Sequence, residues 1–111
     1  MAFDSTVVVP SAARTTSGNS GALAANGTNL CLGVSVTAFS GTTPSMALTV
    51  EWSFDGVSFG PGETAVSFAA ITGAKTTTQR VPAQAPYYRL VWAVTGTTPS
   101  FTFTATAWSI A

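Results

Sequence analysis

Four stretches of this chain place apolar residues at every second position, and no stretch repeats them at the three-and-four spacing of a helix. In "NLCLGVSVTAF" Leu30, Leu32, Val34, Val36 and Ala38 share one side, with Cys31, Gly33, Ser35 and Thr37 on the other. Met46, Leu48, Val50, Trp52 and Phe54 alternate in the same way with Ala47, Thr49, Glu51 and Ser53. Tyr88, Leu90, Trp92 and Val94 form a third set, and Phe101, Phe103, Ala105 and Ala107 a fourth. Successive side chains of a strand point to opposite faces, so each stretch reads as a strand with one face buried. Further strands are expected through Ala65 to Ile71 and near Thr76 to Val81. Asp55-Gly56, Gly60 to Glu63, Thr72-Gly73 and the Pro82 to Pro86 segment supply breaks. The expected fold is all-β: a single antiparallel sandwich of Greek-key or jelly-roll type with six or seven strands.

Between the strands, "GTTPS" at Gly41 recurs at Gly96, each time before an inward-facing strand. Gly permits a left-handed backbone, Thr and Ser bond locally, and Pro holds its own dihedral, so both copies read as turns closing hairpins. The copies are out of step in one respect. Aligned on the motif, Val34 and Val36 fall opposite Arg89 and Val91, while the apolar residues are Leu90 and Trp92. One copy has therefore slipped by a residue and exchanged its faces.

Residues 1–28, "MAFDSTVVVPSAARTTSGNSGALAANGT", lack either period. They are expected to form an extended N-terminal arm that orders on a neighbour, leaving residues 29–111 as the sandwich. In the last strand, Thr102, Thr104 and Thr106 mark an outer face that continues as Trp108 and Ile110. Either a bulge re-registers its end, or a partner covers that face. The residues expected at a partner interface are Phe3, Val7, Val8, Val9, Tyr87, Trp108 and Ile110.

Charge bears on partners. Charged residues are 7% of the 111, hydrophobic residues 46%, and the formal net charge is zero; ordinary domains carry about 25% charge. A surface this neutral suits a subunit covered by an assembly, and a homo-oligomer, in first place a trimer, is expected. The scattered Arg14, Lys75, Arg80 and Arg89 make no footprint for nucleic acid. No apolar run approaches the ~18 residues of a membrane span, and the start, with Asp4 and Pro10, is unlike a signal peptide.

Chemistry finds little to work with. There is no histidine, which removes the usual triads and zinc sites. Of the carboxylates Asp4, Glu51, Asp55 and Glu63, only Glu51 and Asp55 lie close in sequence, one on a polar strand face and one in a turn. Asp55 and Glu63 would make a poor calcium cage. No catalytic residue, metal or cofactor is expected, and the chain is read as not an enzyme. Cys31, between leucines, reads as a small strand thiol. Trp52 and Trp92 are in phase with the core, whereas Tyr87 and Trp108 are candidates for the surface.

The combination "GTTPSMALTVEWSFDGVSF", "FAAIT" and "APYYRLVWAVTGTTPSFTF" resembles small structural proteins of tailed bacteriophages, particularly those encoded near the head genes of phages of actinobacteria. The likeness covers about residues 34 to 104 and rests on turn and strand motifs. It implies a β-sandwich that decorates or cements the capsid, with the major capsid protein as partner and the virion surface as location. Similar modules in tails and fibres make a glycan- or host-binding module the alternative.

Overall fold

In a computed structural model, which describes residues 5–25, 29–61 and 66–110, every regular element is a β-strand. There are seven: β1 (Ser5–Arg14), β2 (Gly18–Asn19), β3 (Leu23–Ala24), β4 (Asn29–Ser53), β5 (Val66–Ser67), β6 (Lys75–Pro82) and β7 (Tyr87–Ile110). All pairings are antiparallel.

β4 and β7 dominate. They run against each other from Asn29↔Ile110 to Ser53↔Tyr87, and each passes through its GTTPS segment without leaving the ladder. The expectation that these segments close hairpins is corrected here: they are kinks inside continuous strands. On an unbent strand Trp92 and Phe103 would lie about 36 Å apart, yet their ring centroids are 5.4 Å apart, edge to face. The ribbon is thus folded over at the two motifs, and its halves become the centres of two packed layers.

The first layer has the order β1, β7 (100–110), β4 (29–40), β6; the second has β2 and β3, β7 (87–95), β4 (45–53), β5. This is the strand arrangement of a jelly roll, in which edge and central strands alike pass from one layer to the other. The inner faces meet in one core. It takes Leu30, Leu32, Val34 and Val36 with Phe101, Phe103, Ala105 and Ala107 from the first layer, and Met46, Leu48, Val50, Trp52, Tyr88, Leu90 and Trp92 from the second.

The two motifs recur because they touch. Gly41 and Gly96 have φ of 114° and 121°, and Thr43 and Thr98 both have φ of 46°. A Cβ on Gly41 would lie 2.8 Å from the Thr98 carbonyl oxygen and 2.9 Å from Pro99 Cα. One on Gly96 would lie 2.9 Å from the Thr43 oxygen and 3.0 Å from Pro44 Cα. Each glycine makes room for the other copy's Thr-Pro, a local two-fold arrangement that only a residue without a side chain permits. The one-residue slip seen in the sequence is a β-bulge: Val36 pairs with Phe103 and Ala38 with Thr102, leaving Thr37 as the extra residue. It turns Ala38, expected inside, out to solvent.

Of the expected arm over residues 1–28, the described part is corrected, residues 1–4 and 26–28 lying outside the described residues. Residues 5–24 line the edge of the chain's own sheet, paired with β7 along β1, β2 and β3. Serines fasten them: Leu90 N–H donates to Ser20 Oγ and Val94 N–H to Ser17 Oγ, each at 3.0 Å, while Trp92 Nε1–H donates to the Thr16 carbonyl at 3.2 Å. A segment without a core of its own gains these bonds from the nearest open strand.

Candidate functional site

The sandwich has unlike ends. At the folded end strands continue between layers. At the other, β4 stops at Ser53, and the chain crosses between layers through short connections, of which 83–86 joins β6 to β7. The residues after β4 form a built loop. Ser53 Oγ donates to Asp55 Oδ1 at 2.8 Å and accepts the N–H groups of Asp55 (3.2 Å) and Gly56 (2.8 Å). Asp55 Oδ1 also accepts the N–H groups of Val57 and Ser58 at 2.9 Å. Those donors, Ser58 first, then Val57, then the Ser53 hydroxyl, hold the Asp55 carboxyl below its ordinary 3.8. The chain rejoins the ladder where Trp52 and Gly60 exchange backbone hydrogen bonds at 2.7 and 3.0 Å.

This loop presents Phe54 and Val57, 78% and 81% exposed. Phe54 was expected inward, in phase with Trp52; the ladder ends at Ser53, so its alternation no longer governs Phe54. Tyr87, partly exposed as expected, lies over Gly56, where an added Cβ would be 3.7 Å from its ring. Behind the loop, Arg89 Nε donates to Glu51 Oε1 at 2.7 Å, and the guanidinium stands 4.5 Å from the centroid of the Phe59 ring. Glu51 and Asp55 therefore have separate partners. Glu63 lies outside the described residues, and among those described no three metal-ligating side chains gather.

A cleft of about 380 Å³ opens at this end, lined by Trp52, Phe54, Ser58, Gly60, Gln84 and Ala85 among others. Trp52 is 4% exposed and packs at 6.1 Å, ring centroid to ring centroid, against Tyr88. Its indole N–H has no acceptor among the described residues. Burial pushes the Tyr88 phenol up from its ordinary pKa.

The second surface is the outer face of the first layer. Its two central strands carry Cys31, Gly33, Ser35 and Thr37 on β4 and Thr102, Thr104, Thr106 and Trp108 on β7, with no charged residue among them. The Trp108 ring lies above Gly33, where an added Cβ would be 3.5 Å from it, and its cross-strand neighbour is the buried Cys31. Val7, opposite Thr106, stands exposed beside this face.

The expected interface residues thus separate. Val7 is exposed, Val8 half-buried and packed on the core, and Val9 a core residue. Val9 is withdrawn from the surface set: the register shift between Val7 and Val9 pairs it with the inward Ala105 and so moves it off the face that Val7 keeps. Trp108 and Tyr87 lie on outer faces of different layers. Ile110 pairs with Asn29 through its backbone, its side chain lying outside the description, and Phe3 lies outside the described residues. The loop pair Phe54 and Val57 was missed. Only the Asp55-Gly56 turn signal pointed to it, by ending the strand before the apolar phase ran out.

No family model matches the chain, and no curated protein matches it in sequence. Among solved structures it is similar to the crystal structure of PBSX exported protein XepA, with a TM-score of 0.65 and 13% identity over 95% of this chain and 36% of that one. The chain thus spans about a third of XepA's length, and at this identity the likeness is one of fold.

Proposed function

We propose that this chain is a structural protein of a tailed bacteriophage, and more narrowly a capsid decoration protein that cements the lattice of the major capsid protein as a homo-oligomer, in first place a trimer. The observation that carries the reading is the outer face of the first layer, where the central positions of β4 and β7 hold no charge and Val7 and Trp108 supply apolar area. A face whose central strands carry hydroxyls and no charge, with Arg80 beside Cys31 on the neighbouring β6, suits a lattice contact made by shape, hydrogen bonds and apolar burial. The sequence resemblance supports the capsid role. The fold likeness to XepA, a protein of the phage PBSX, supports the phage association alone.

The test is co-sedimentation of purified protein with particles of the encoding phage or prophage assembled without it. Wild type should saturate the particles at a fixed ratio, and the double variant Val7→Asp, Trp108→Ser, still folded by circular dichroism, should bind at least about tenfold more weakly. Wild-type protein that stays in the supernatant would remove the capsid assignment. Light scattering on the free protein reads the oligomer directly.

A further inference from the structure

A sheet edge offers unpaired backbone N–H and C=O groups to any chain able to add a strand, and folded proteins blunt such edges by shortness, proline, bulges or charge. The edges of this sandwich are blunted unequally. β2, β3 and β5 have two residues each. β1 is interrupted by register shifts between Val7 and Val9 and between Val9 and Ala12, and it carries Pro10. β6 differs: its eight residues keep an unbroken register against β4 from Val36↔Lys75 to Asn29↔Pro82, and among the described residues it pairs with no other strand. Its proline comes only as its last residue. What guards this edge is charge, with Lys75 and Arg80 exposed toward its two ends.

Charge discriminates where the other devices do not. A bulge or a proline turns away any strand, whereas two cations disfavour a strand bearing cations and favour one bearing carboxylates. A second copy's β6 would bring the same two cations. Of the carboxylates described, Glu51 is held by Arg89 and Asp55 by its own loop, so neither supplies the counter-charge. The side chains suit an edge that is wetted when empty: Thr76 and Thr78 are exposed, and the inward Thr77 and Gln79 are polar and half-buried, opposite the buried Val34 and Leu32 of β4. From these we infer that β6 binds an extended, carboxylate-bearing segment of another protein as an added strand, antiparallel like the other pairings of the sandwich. Backbone hydrogen bonds supply the affinity, and Lys75 and Arg80 select the sequence. The site is distinct from the contact through Val7 and Trp108 and does not depend on the capsid reading.

The experiment follows the backbone amide signals of ¹⁵N-labelled protein during titration with capped peptides matching β6 in length. The first is acetyl-Thr-Val-Glu-Val-Thr-Val-Thr-Glu-amide, which in antiparallel register sets a Glu opposite Arg80 and another opposite Lys75. The second has Lys in place of both Glu residues, and the third keeps them but has Pro at the two central positions, which prevents strand pairing. The acidic peptide should shift the β6 amides saturably with Kd below about 1 mM, the Lys peptide should bind at least about tenfold more weakly, and the Pro peptide should leave β6 unmoved. In the double variant Lys75→Glu, Arg80→Glu, both sites being exposed, the order of the first two peptides should reverse. The inference is overturned if the acidic peptide moves no β6 amide up to ~2 mM, if the Lys or Pro peptide binds wild type equally well, or if the order does not reverse. The titration uses the free chain without particles, so it and the capsid reading fail separately.

Discussion

The folded end and the loop end of this sandwich turn the chain by opposite means: the first carries β4 and β7 from one layer to the other, and the loop after β4 returns the chain to β5 within the second layer. At the folded end β4 and β7 bend together, each held by the other's backbone, and Trp92 meets Phe103 in the angle. Arg14 closes it from the edge, its guanidinium 5.2 and 5.7 Å from those ring centroids. At the loop end the chain leaves the ladder, and side-chain oxygens of Ser53 and Asp55 replace strand partners. At the folded end Phe101 and Phe103 are buried and Phe39 is about half exposed, whereas Phe54 and Val57 at the loop end stand mostly in water. A bend made of paired backbone stabilises the fold; a loop capped by its own side chains is free to present residues to something else.

The comparison breaks if substitutions at the two ends cost alike. Phe103→Ala should have the largest effect, about 3–5 kcal/mol in urea unfolding, because it empties a fully buried site against Trp92. Gly41→Val should follow at about 2–3 kcal/mol, since the new side chain meets backbone atoms and the φ disfavours it. Gly96→Val should match it closely; unequal costs would show that the local two-fold is only geometric.

At the loop end Ser53→Ala should cost about 1–2 kcal/mol, leaving the Asp55 and Gly56 N–H groups without their acceptor. The same loop should respond to acid. The Asp55 carboxyl is held below 3.8, so its contribution is complete above that pH and is lost as pH falls through the lower folded value. Asp55→Asn should remove this part of the acid dependence, read from loop amide exchange against pH in wild type and variant. Smallest of all, Phe54→Ala should change stability by no more than about 0.5 kcal/mol, its side chain being mostly in solvent already. A larger loss would mean that Phe54 belongs to the core after all.

Much of the core was legible. Leu30 to Val36, Met46 to Trp52, Tyr88 to Trp92 and Phe101 to Ala107 face inward in the phases their alternation predicts. The exceptions, Ala38 and Phe54, stand where a bulge or the end of pairing interrupts alternation, and neither event has a period to detect. The candidate surface was less legible. Val7 and Val9 are chemically alike in sequence, and only the pairing of Val9 with the inward Ala105 turns one to solvent and the other inside.

The sequence by itself determined the fold class, the inward faces of the central strands and the need for glycine at 41 and 96, because alternation and backbone freedom are local properties. Only the tertiary structure decided that the two GTTPS segments pair with each other and do not close hairpins. It also laid residues 5–24 on the chain's own sheet edge and buried Trp52 against Tyr88. Each joins residues far apart along the chain, and no local pattern states which distant strand will offer its open edge.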